Sequence, residues 1–97
     1  MSVTEARPAR SAFTVEQAWR LNPQVALRDE SFGALAYHYG NRRLVFLKSR
    51  LLVDLVSSLH EYPSAAAAIG ALVPEGRQDS YRRALARLAA SEVIDAR

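Results

Sequence analysis

The stretch Gly33-Ala-Leu-Ala-Tyr-His-Tyr-Gly-Asn-Arg-Arg-Leu-Val-Phe-Leu-Lys48 decides how this chain folds. It reads as two strands joined at Gly40-Asn41. Glycine at the first central position of a two-residue turn accepts positive φ without a Cβ clash, as a type II′ hairpin requires. That turn sets the register. Tyr39 faces Arg42, Tyr37 faces Leu44 and Leu35 faces Phe46 on one side of the ribbon, while His38 faces Arg43, Ala36 faces Val45 and Ala34 faces Leu47 on the other. The first side carries the bulky side chains and is expected to face the core, Phe46 included. An isolated hairpin is marginal in water, so other parts of the chain must cover it.

Upstream, Asn22-Pro23 signals a turn, and Gln24-Val-Ala-Leu-Arg28 alternates with Val25 and Leu27 on one face. Asp29-Glu30-Ser31 ends that strand, so three strands follow one another as an antiparallel meander. Residues 1–18 show no sustained period and are expected to form a flexible arm, ordered only near Phe13 and Val15; residues 19–97 form the domain.

Downstream the period changes. Leu52, Leu55, Val56 and Leu59 fall on one helical face, with Ser49 as N-cap and Pro63 closing the stretch. Ser64 caps a short helix over 65–72, anchored by Ile69 and Leu72. A third helix is expected from Asp79 to Glu92, capped by Asp79 or Ser80, with Tyr81, Leu85 and Leu88 inward and Arg77, Arg82, Arg83 and Arg87 outward. Val93-Ile94 either adds a terminal strand or caps the core. Strands followed by helices indicate an α+β fold, helices on one face of the sheet, compatible with a winged-helix unit.

The totals limit the function. The chain has 97 residues, 49% apolar and 24% charged, which suits one soluble globular domain. No apolar run approaches the ~20 residues a membrane span needs, and the N-terminus lacks the apolar core of a signal peptide. The cytoplasm is the expected compartment. Cysteine is absent, which removes disulfides, thiolate metal sites and a cysteine nucleophile together. His38 and His60 have no ligand-like spacing, so no metal or cofactor is expected. No phosphate loop or nucleophile–histidine–carboxylate set can be assembled, and catalysis is not expected.

Two binding classes remain. Residues 64–91 can be read as a helix-turn-helix whose arginines meet DNA phosphates. Asp79 and Glu92 dilute that field, and the net charge is only +3. Strand addition fits the hairpin better. If sheet order follows the sequence, Arg42-Arg-Leu-Val-Phe-Leu-Lys48 lies at an edge and offers unpaired backbone groups to an extended peptide. Its cations both guard the edge against self-association and favour an acidic ligand. Tyr81, Leu85 and Leu88 would floor a groove beside it, with Arg82 at the rim. A second copy of the chain can satisfy the same edge, giving a homodimer. If the Val45 N–H faces the ligand, proline there weakens binding.

The runs Trp19-Arg-Leu-Asn-Pro-Gln-Val-Ala-Leu-Arg28 and Phe32-Gly-Ala-Leu-Ala-Tyr-His-Tyr-Gly-Asn-Arg-Arg-Leu-Val-Phe-Leu-Lys48 resemble the mycofactocin biosynthesis chaperone family. Its relatives are the pyrroloquinoline quinone peptide chaperones and the wider RiPP recognition elements. The resemblance covers roughly residues 19–95. It implies three strands and a winged-helix-like three-helix unit. It also implies a non-catalytic chaperone that takes a precursor-peptide leader as an added strand against the third strand, beside the third helix. The partner would be a radical S-adenosylmethionine maturase, which modifies the peptide's C-terminal Val-Tyr by oxidative decarboxylation and then ring formation. Carried over, the third-strand positions are Arg42, Arg43, Leu44, Val45, Phe46 and Leu47, and the third-helix positions are Tyr81, Arg82, Leu85 and Leu88.

Overall fold

A computed structural model describes residues 12–97; residues 1–11 of the expected arm lie outside that range. The sheet at the centre has three antiparallel strands: β2 (Val25–Glu30), β3 (Gly33–His38) and β4 (Leu44–Leu47), in that order. The hairpin register is the expected one, with Ala34 opposite Leu47, Leu35 opposite Phe46, Ala36 opposite Val45 and Tyr37 opposite Leu44. Pairing of β2 with β3 places Val25 opposite His38 and Leu27 opposite Ala36.

The turn and the buried face both differ from expectation. Positive φ falls on Arg42 (65°) and not on Gly40, so the connection is a wider loop rather than a type II′ turn. His38 holds it: Nδ1 accepts from the backbone N–H groups of Gly40 (3.0 Å) and Asn41 (3.1 Å). Asn41 Oδ1 accepts from the Arg43 N–H at 2.9 Å, a local side-chain turn that ends the loop.

The core lies under Ala34, Ala36, His38 and Leu47, while Phe46 is 53% exposed and Leu44 54%. Side-chain size misleads here. Helix α1 (Arg50–Ser58) crosses the inner face, and the alanines of β3 let it approach closely. The bulky residues are displaced to the far side, where Phe32 stacks on Phe46 with ring centroids 5.6 Å apart, and Tyr37 meets Tyr39 edge-on at 5.0 Å.

The helices form where period and caps direct them. Ser49 Oγ accepts from the Leu52 N–H at 2.9 Å and Ser64 Oγ from the Ala67 N–H at 3.0 Å, capping α1 and α2 (Ala65–Leu72). Burial of Leu55, Val56 and Leu59 on α1 and its 3₁₀ extension contributes ~2 kcal/mol per side chain before entropy is counted. α3 (Gln78–Ala90) starts one residue early, from a 3₁₀ turn over Glu75–Arg77, with no side-chain N-cap. Asp79 sits in its first turn and pairs with Arg82 and Arg83 instead of capping. Its C-terminus closes with Val93 N–H to Leu88 C=O and Glu92 N–H to Ala89 C=O, Glu92 taking positive φ (66°). This is the Schellman pattern without its usual glycine.

Two segments far apart in sequence meet in a second, two-stranded sheet. β1 (Trp19–Leu21) pairs with β5 (Ile94–Ala96), and Arg20 bonds Asp95 at 3.0 Å across it. The preceding segment packs as well. Val15 and Gln17 carbonyls accept from Ala66 and Ala65 N–H groups at the start of α2, and the Phe13 ring lies 5.0 Å from that of Trp19.

Candidate functional site

Among the described residues β4 is an edge strand, with β3 on one side only. The phase of its ladder shows which groups are unpaired. His38 N–H donates to Arg43 C=O at 2.9 Å, and antiparallel pairing alternates, so the next bonded pair is Ala36 with Val45. Leu44 and Phe46 therefore turn their N–H and C=O groups to the free edge. Val45 points its own at β3, contrary to the premise that its N–H faces outward.

Beside that edge runs a groove floored by α1 and walled by α3. Its first part, a cleft of about 250 Å³, is lined by Val45, Phe46, Leu52, Ala84, Arg87, Leu88 and Ser91. Leu52, Ala84 and Arg87 also line a neighbouring cleft of about 350 Å³ with Lys48, Ser49, Arg77, Ser80 and Tyr81. Shared walls make the two one channel along α3. The helix leaves room because Ser80 and Ala84, one turn apart, are small.

The expected site residues divide. Leu44, Val45 and Phe46 lie on the edge strand and Leu88 lines the groove. Arg42 and Arg43 are exposed at the loop end of β4. Leu47 and Leu85 are fully buried, so they support the groove from beneath without lining it. Tyr81 is mostly buried and its hydroxyl lies 2.9 Å from Ser49 Oγ, tying α3 to the start of α1. Arg82 is on the other side of α3, in a different cleft with Phe13, Val15, Arg83 and Ala86. Leu52, Ala84 and Arg87 are groove residues that sequence reasoning did not single out. Ala84 shares a helical face with Ser80 and Leu88, but which face of α3 turns towards β4 is set by packing.

Among the described residues, every buried side-chain polar atom has a partner, so nothing in the interior awaits a ligand. The chemistry available lies in the open edge, an apolar wall and several cations. No helix of the described residues is long and apolar enough to cross a membrane.

An α+β domain with an open strand edge against a helix groove is a winged-helix-like binding module. The chain belongs to the Peptide chaperone MftB family, whose profile matches residues 18–95. It is 46% identical over 89 residues to the Peptide chaperone MftB of Mycobacterium tuberculosis, spanning 91% of this chain and 82% of that protein. It is 45% identical over 83 residues to the Peptide chaperone MftB of Mycolicibacterium smegmatis, spanning 84% and 81%. The corresponding protein of Mycobacterium ulcerans is 41% identical over 91 residues, spanning 93% and 84%. No solved structure matches the chain significantly. Membership places it among peptide chaperones, not enzymes.

Proposed function

We propose that this chain binds the leader of a ribosomally synthesised precursor peptide by strand addition and presents it to a radical S-adenosylmethionine maturase in mycofactocin biosynthesis, in the cytoplasm. The observation that carries this reading is the free edge of β4 above the α3 groove. An added strand bonds to the backbone of Leu44 and Phe46, and its alternate side chains fall towards Val45, Leu52 and Leu88. Its other side chains extend the exposed face of Phe32, Leu44 and Phe46, an apolar surface of the sort a protein partner covers. Arg42 and Arg43 flank the entrance, and buried Tyr81, Leu85 and Leu47 hold the groove in shape.

Titration with the cognate precursor peptide, followed by amide-resolved NMR at two salt concentrations, tests it. The expected result is shifts concentrated in 42–48 and 79–88 that change little with salt. No binding overturns the proposal. Steeply salt-dependent binding of duplex DNA instead favours a winged-helix DNA-binding protein.

A further inference from the structure

The groove has two chemically different halves. Near Ser91 its walls are Val45, Phe46, Leu52 and Leu88; at the other end Lys48, Arg77 and Arg87 converge on one cleft. Among the described residues no carboxylate lines either half.

Several of the other cations face a carboxylate, while Arg42, Arg43 and Arg97 enter no ion pair among the described residues. Asp79 pairs with both Arg82 and Arg83 on the far side of α3, Arg20 pairs with Asp95, Arg28 with Glu30 and Arg50 with Asp29. Among the described residues Lys48, Arg77 and Arg87 enter no ion pair, and the Arg77 guanidinium lies 5.8 Å from the Tyr81 ring centroid. Like charges held on one cleft repel, and a carboxylate brought between them relieves that repulsion as well as forming charge-assisted hydrogen bonds.

We infer that the groove selects an extended peptide segment carrying an Asp or Glu whose carboxylate docks among Lys48, Arg77 and Arg87. An apolar side chain two residues away in the same segment sits against Val45, Leu52 and Leu88. This assignment rests on the strand-addition reading and adds its sequence selectivity, since backbone bonding to β4 is indifferent to side chains. In an added strand every second side chain faces the groove, at intervals of ~7 Å. Arg87, which lines both halves, stands at the junction. A second copy of β4 is a poor occupant, because it brings Arg42, Arg43 and Lys48 against these same cations.

The test uses the full chain and fluorescence anisotropy with two labelled peptides: the cognate precursor leader, and the same leader with every Asp and Glu replaced by Asn and Gln. The neutralised peptide is expected to bind about tenfold more weakly. Arg77→Gln and Arg87→Gln each weaken the native peptide about fivefold and leave the neutralised one unchanged, as a double-mutant cycle requires. Arg83→Gln, on the far side of α3, changes neither. Circular dichroism melts confirm that the exposed-site variants fold. Equal affinity for both peptides overturns the charge selection while strand addition stands. Equal weakening of both peptides by the arginine variants also overturns it, because the contact is then not with a carboxylate. No binding of the native peptide overturns the proposed function itself.

Discussion

The hydroxyl oxygens of Ser49 and Tyr81 lie 2.9 Å apart, and Ser49 Oγ also accepts from the Leu52 N–H. One oxygen thus caps α1 and ties it to α3 beneath the groove. Tyr81→Phe removes only the tie and is expected to cost about 1 kcal/mol. Ser49→Ala removes tie and cap together, at about 2 kcal/mol. Urea unfolding checks both: each midpoint should fall with the slope unchanged, and the double variant should lose no more than Ser49→Ala alone.

His38 is the buried polar residue of the inner sheet face, 4% exposed. Nδ1 accepts from the Gly40 and Asn41 N–H groups, while Nε2 lies 3.3 Å from Asn22 Nδ2 and 4.0 Å from the Glu92 carboxylate. His38→Leu keeps the apolar packing and deletes the acceptor of two N–H groups. A loss of about 2 kcal/mol is expected, below the full penalty because water reaches the exposed loop. Hydrogen exchange localises it: the Gly40 and Asn41 amides should exchange faster, with α3 protection falling only by the global loss.

Register and facing came apart in the sequence. Pairing Leu35 with Phe46 follows from the position of the loop alone, whatever its turn type. Which side is buried depends on what packs there, and Ala34 and Ala36 are inside because α1 needs a close approach. Counting bulk selected the wrong side. Helix α1 was legible because serine cap and apolar period agree, and α2 from its serine cap and alanine run; α3 starts at Gln78, with no side-chain cap at Arg77 to announce it. β1 and β5 join residues far apart in sequence, a pairing no local pattern encodes. In the groove, the edge strand was legible from strand order, whereas Arg87 and Ala84 needed the angle of α3 about its own axis.

Gly33 has φ +150°, and a Cβ there would lie 2.1 Å from the Leu47 carbonyl oxygen and 2.9 Å from the Ser49 nitrogen. Both are backbone atoms and cannot swing aside. Gly33→Ala should cost more than about 3 kcal/mol, lowering Tm by more than about 10 °C. Gly70, within α2, has nothing within 4 Å of its added Cβ. Gly70→Ala should raise stability by up to about 1 kcal/mol. Paired thermal melts check the two, and a neutral Gly33→Ala would contradict the β3–β4 junction described.

The ladder phase yields the sharpest separation of folding from binding. Proline at Val45 deletes the N–H that bonds Ala36, so it should unfold or strongly destabilise the hairpin whether or not peptide is present. Proline at Phe46 deletes an N–H that faces the free edge, a position edge strands tolerate. Phe46→Pro should keep the cooperative melt within about 1 kcal/mol of the parent and weaken peptide binding about tenfold. Phe46→Ala controls for the lost ring, which is exposed and stacks on Phe32. Calorimetric titration beside a thermal melt decides the matter. A Phe46→Pro chain that folds and binds peptide as tightly as Phe46→Ala has no bond to the peptide at that N–H, and the strand then lies elsewhere.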